Sequence, residues 1–69
     1  MSLAYVRQYY GVPAYHGTPV LYTGDEVPRR GVIMSATDLI DLRVRWDDDP
    51  TGPRGILNPV DDIQYGERP

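Results

Sequence analysis

The segment Ile40-Asp41-Leu42-Arg43-Val44-Arg45-Trp46-Asp47 alternates apolar and charged side chains over eight positions without a break. A period of two sends successive side chains to opposite faces of an extended chain, so this stretch reads as a half-buried strand. A helical template also collects Ile33, Ala36, Ile40 and Val44, but it leaves Leu42 and Trp46 on the wet face. The strand reading therefore wins. Ile40, Leu42, Val44 and Trp46 are expected to face a core, and Asp41, Arg43, Arg45 and Asp47 the solvent.

The rest of the chain must supply partners for that strand, and its punctuation says how. Seven Gly and seven Pro residues are spread along 69 positions, and the longest run free of both is Val32 to Asp49. Long helices are nearly excluded. Strands are expected at Thr18 to Thr23, ending in the turn signal Gly24-Asp25-Glu26, and at Gly31 to Ala36, with Pro28-Arg29-Arg30 lengthening the loop between them. Thr37-Asp38 is the next polar turn, and Asp47 to Pro53 is a turn by every local criterion. Gly55 to Asn58 and Ile63 to Tyr65 complete the strands, with a single helical turn expected at Pro59 to Asp62. Ahead of the sheet, Leu3, Val6 and Tyr10 fall at helical spacing, Ser2 can cap the start and Gly11 can end the helix in a left-handed conformation. The expected organisation is an amino-terminal arm over 1–17 with a short helix at about 3–10, a barrel over 18–66 and a tail at 67–69.

This is a mainly β fold of five short strands, and its order of elements resembles a small SH3-like barrel with a short amino-terminal helical or extended arm. The string Leu57-Asn58-Pro59-Val60-Asp61-Asp62-Ile63-Gln64-Tyr65 carries that resemblance, with Gly31-Val32-Ile33 after an arginine-rich loop. The segment Val6-Arg7-Gln8-Tyr9-Tyr10-Gly11-Val12-Pro13-Ala14 resembles the opening of small, uncharacterised SH3-like proteins of actinobacteria and their phages. The resemblance implies a fold and a genome context; it assigns no catalytic residue. The absence of Lys and Phe and the single Asn are those of a GC-rich genome.

Function classes are narrowed by what the residues can do. With no Cys, there are no disulfides, thiolates or Cys-based zinc sites, and apolar packing alone must hold a small core. The lone His16 has no second His or Cys to complete a metal site or a triad and is read as a turn histidine. Asp47, Asp48 and Asp49 are consecutive, so their side chains diverge instead of converging on a calcium ion, and they are read as a solvated hairpin turn. No nucleophile motif or phosphate-binding loop is present. The expectation is a protein that is not an enzyme and uses no cofactor. Met1 to Tyr10 lacks the pattern of a secretory signal and no apolar run is long enough to span a bilayer, which makes a cytoplasmic location the default, the host cytoplasm for a phage protein.

Two binding readings remain. Four of the seven aromatics, Tyr5, Tyr9, Tyr10 and Tyr15, precede the barrel and cannot all fit inside it. They either pack the arm over the barrel or form a contact patch for a protein partner, a host or phage protein or a second copy in a homo-oligomer. Alternatively, Arg29, Arg30, Arg43, Arg45 and Arg54 form a basic face that contacts nucleic acid despite a net charge of −3. Asp41 and Asp47 flank those arginines and offset them, which ranks the nucleic-acid reading second.

Overall fold

The computed structural model describes residues 2–67. Its elements are α1 (Leu3–Tyr10), β1 (Pro19–Tyr22), β2 (Arg29–Ala36), β3 (Leu42–Trp46), β4 (Gly55–Leu57) and β5 (Ile63–Tyr65). The five strands form one antiparallel sheet in the order β4-β3-β2-β1-β5, and the sheet curls strongly into a half-barrel. The mainly β, five-stranded fold with a short amino-terminal helix is thus the one expected from the sequence. β4 and β5 form the two free edges. The gap between them is spanned by residues 58–62, where the Tyr65 hydroxyl donates to the Pro59 carbonyl at 2.7 Å. Each edge strand is only three residues long, which limits the row of unpaired backbone groups offered to another chain.

The expected alternation is realised over the five residues of β3. Leu42, Val44 and Trp46 are buried and Arg43 is exposed, with Arg45 intermediate. Across the sheet, Val20, Ile33, Ala36 and Leu57 join them in a single core, with Tyr22, Ile63 and Tyr65 packed at its margin. Close strand approach depends on two glycines. A Cβ on Gly31 would collide with the Val44 side chain and lie 2.8 Å from the Arg45 carbonyl oxygen, and one on Gly55 would strike the Trp46 indole.

The helix forms as its caps predict. Ser2 accepts a hydrogen bond from the Tyr5 N–H at 3.2 Å, and Gly11, at φ 68°, closes the last turn through its N–H to the Arg7 carbonyl. Val6 is fully buried, as is Ala14 in the connection that follows, and both belong to the same core as the sheet. α1 therefore lies on the concave side of the half-barrel, against β2. Arg7 pins the connection from above, donating to the Ala14 carbonyl at 2.9 Å while its guanidinium lies 4.1 Å over the Tyr15 ring.

Three local expectations are corrected. β2 starts at Arg29, because the β1–β2 hairpin pairs Tyr22 with Arg29 and Leu21 with Arg30, so the two arginines are strand residues and not loop. Ile40 lies outside β3, in a left-handed conformation (φ 65°) within a five-residue turn. The Thr37 hydroxyl organises that turn by accepting from the N–H groups of Leu39 and Asp41, both at 3.2 Å, and Ile40 still packs against the core from it. Finally, Pro59 to Asp62 is a turn and not helical: the Asn58 side chain accepts the Val60 N–H at 2.9 Å, and Asp62 adopts φ 54°. An Asx contact of this kind competes with helix formation for the same backbone donor.

Candidate functional site

The four amino-terminal tyrosines divide two and two. Leu3, Val6 and Tyr10 make the buried stripe of α1, and Tyr5 and Tyr9, one turn apart, point away from it. Tyr5 is 41% exposed and Tyr9 62%, and their rings stack with centroids 6.0 Å apart. Tyr10 meets Tyr9 edge-on at 4.8 Å and continues into the core margin. Tyr15 is half-buried beneath Arg7. The result is a short aromatic ridge of Tyr5 and Tyr9, fixed on one side by buried residues and open on the other.

The five arginines do not share one face. Strand parity sends Arg29 to the inner side with Gly31 and Ile33, and Arg30 to the outer side with Val32. Arg29 then lies 4.3 Å over the Trp46 ring and donates through Nε and Nη2 to the Asp48 carboxylate, at 2.9 Å for the shortest contact. Those hydrogen bonds hold the Asp48 carboxyl below its usual range. With Tyr22 tilted against Trp46 at 6.4 Å, this is a structural clasp at one end of the half-barrel. Arg54 donates to the Pro50 carbonyl at 3.0 Å and fastens the turn between β3 and β4. Arg30, Arg43 and Arg45 are left on the convex face. Arg43 donates to the Ala36 carbonyl at 3.1 Å. Neither Arg30 nor Arg45 has a side-chain hydrogen bond or ion pair among the described residues.

The convex face also carries a shallow groove of about 360 Å³ over β5, β1 and β2, lined by Pro19, Leu21, Arg30, Asp47, Gln64 and Gly66 among others. Sequence reasoning missed the groove because it is made by three strands brought together from opposite ends of the chain. The inward turn of Arg29 was readable: once Gly31 and Ile33 are placed inward, Arg29 must follow.

The remaining polar candidates are engaged structurally. His16 lies in an exposed turn with Nδ1 2.9 Å from the Met34 carbonyl oxygen, a geometry in which that nitrogen donates. Asp48 serves Arg29, and no cluster of three or more His, Asp or Glu side chains suited to a metal ion occurs among the described residues. The Tyr65 phenol, hydrogen-bonded to Pro59, is pushed up to about 12 by burial. No helix among the described residues is long and apolar enough to cross a membrane. No protein-family model matches the chain, and neither does any curated protein or any solved structure.

Proposed function

We propose that this protein is a small non-catalytic binding module with an SH3-like barrel, an accessory protein of a phage or an actinobacterium, that engages a partner protein through Tyr5 and Tyr9. The observation that carries this reading is the exposed, stacked tyrosine pair on a helix whose opposite side is anchored by the fully buried Val6. Two large aromatic side chains already held by their neighbours lose little conformational freedom on binding, and tyrosine is enriched among the residues that dominate interface energy. The genome context rests on the resemblance carried by Val6 to Ala14.

The tyrosine pair is the centre of the contact and not the whole of it. An eight-residue helix is about 12 Å long, whereas a standard interface covers about 800 Å² per partner, close to a fifth of the 4450 Å² surface of this protein. The test is quantitative capture from host lysate by the immobilised protein, compared with Tyr5→Ser/Tyr9→Ser, with sedimentation measurements on both. A host or phage protein retained by the wild type and lost by the double variant is the expected result. Equal retention by the two, or loss of nothing but a self-associated species, overturns the assignment to a separate partner.

A further inference from the structure

We propose a second docking surface on the convex face of the sheet, on the far side of the core from α1, that takes an extended acidic protein segment bearing an aliphatic side chain. The inference stands independently of the tyrosine ridge. Its starting point is a charge imbalance. Seven of the ten carboxylates of this net-negative chain gather in turns at 25–26, 47–49 and 61–62, and Asp38 and Asp41 lie in the turn that precedes β3, whereas Arg30, Arg43 and Arg45 stand on the outward side of β2 and β3. Arg30 and Arg45 reach no carboxylate among the described residues, although Asp47 lies across from Arg30 at the strand ends, its N–H bonded to the Arg30 carbonyl.

The register fixes what such a face can recognise. Val32 pairs with Arg45, Arg43 pairs with Ile56, and Leu21 pairs with Arg30, so every arginine has an aliphatic neighbour directly across. Ile56 is 55% exposed and Leu21 lines the groove. Arg43 and Arg45 are two residues apart on one strand, about 6.6 Å, which is also the spacing of carboxylates at alternate positions of an extended peptide. Guanidinium groups donate to carboxylates in a bidentate fork, and an apolar side chain beside them fills the groove.

Two features favour an acidic peptide over a phosphate backbone. The outward positions of β1 to β5 hold no aromatic ring on which a base would stack, since Tyr22, Trp46 and Tyr65 all face inward. A phosphate backbone also leaves the aliphatic groove unfilled. Asp47 closes the end of the groove beside Arg30 to anions, which directs the partner's carboxylates toward Arg45 and Arg43.

The probe is a fluorescein-labelled peptide, Ser-Leu-Ser-Glu-Ser-Glu-Ser, titrated by anisotropy at low salt against the full chain. Saturable binding is expected, weakened at least about tenfold by Arg43→Gln/Arg45→Gln and also lost on replacing the peptide's Glu by Gln or its Leu by Ser. Raising the salt toward 1 M, where the screening length falls to about 3 Å, removes most of the affinity. The Gln variants keep much of each aliphatic stem, and circular dichroism is the check that they are folded. Absent binding, or binding that the Gln variants leave unchanged, overturns the proposal. So does equal or tighter binding of a short dT oligomer, which assigns the face to phosphates. Tyr5→Ser/Tyr9→Ser is expected to bind the peptide as the wild type does, so the two surfaces stand or fall separately.

Discussion

Val6→Ala tests whether the amino-terminal segment is part of the fold or an appendage to it. Val6 is fully buried and shares a core with Ile33, Leu42 and Trp46. Removing two methyl groups forfeits about 1.6 kcal/mol of transfer free energy at roughly 0.8 kcal/mol per buried carbon, and the void that remains raises the cost to about 2 kcal/mol. A cysteine-free core of this size supplies about 3 to 5 kcal/mol in all, so one substitution on an eight-residue helix removes close to half of it. The melting temperature should fall by about 8 to 16 °C. Denaturant unfolding followed in parallel by Trp46 emission and far-ultraviolet circular dichroism is the assay. The expected result is a lower midpoint, an unchanged slope and coincident curves. A loss under about 0.5 kcal/mol, or a helical signal that disappears while the Trp46 transition stays in place, refutes the claim that α1 and the sheet share one cooperative core.

Three further outcomes follow from named contacts. Gly31→Ala should cost about 1 to 3 kcal/mol by overpacking, because the Arg45 carbonyl 2.8 Å from the new methyl belongs to the β3 backbone and cannot swing aside; a thermal midpoint within 2 °C of wild type, roughly what 0.5 kcal/mol produces, contradicts this. Tyr65→Phe should cost about 1 kcal/mol through the lost bond to Pro59. The same phenol gives an alkaline limit: its folded value of about 12 exceeds the 10.0 of the free side chain, so its stabilising contribution is complete below pH 10, declines as pH rises toward 12, and is missing in the Phe variant. Asp48→Asn should free Arg29 from its carboxylate and alter Trp46 emission at neutral pH. In the wild type, the contribution of the lowered Asp48 is present above 3.8 and lost as pH falls through its folded value, so the emission step should lie below pH 3.8 and be absent from Asp48→Asn.

Most of the fold was legible because its signals were local. The period-two run from Leu42 to Trp46, the Ser2 and Gly11 caps and the Gly and Pro breaks each act within a few residues of their position. What sequence reading misplaced depended on contacts made from a distance or against local preference. Ile40 has the apolar character of a strand residue, yet Thr37 holds the backbone around it in a turn, with a left-handed conformation that an isoleucine adopts only at a cost. Arg29 has the local character of a loop cation, and only the β1–β2 register makes it a strand residue; its inward side then follows from the parity of Gly31 and Ile33. The site was legible as two sets of residues and not as two surfaces. The tyrosine set shrinks to Tyr5 and Tyr9, because the helical stripe claims Tyr10 and Arg7 covers Tyr15. The arginine set shrinks to Arg30, Arg43 and Arg45, because Arg29 and Arg54 fasten turns.

The strand order has a consequence for how the molecule assembles. β1 to β4 form a meander in which each strand pairs with the next in sequence, so those hairpins close short loops. β5 alone must travel back, pairing Tyr65 with Val20 across 45 positions of chain. Until it arrives, the edge of β1 turned away from β2 is unpaired and Pro59 lacks the Tyr65 hydroxyl. Native pairing of the last strand is therefore the entropically expensive step, the one expected to set the folding rate. A chain that lacks its last few residues would then keep a formed meander with β1 as a free edge, and a second truncated chain offers the same edge to it.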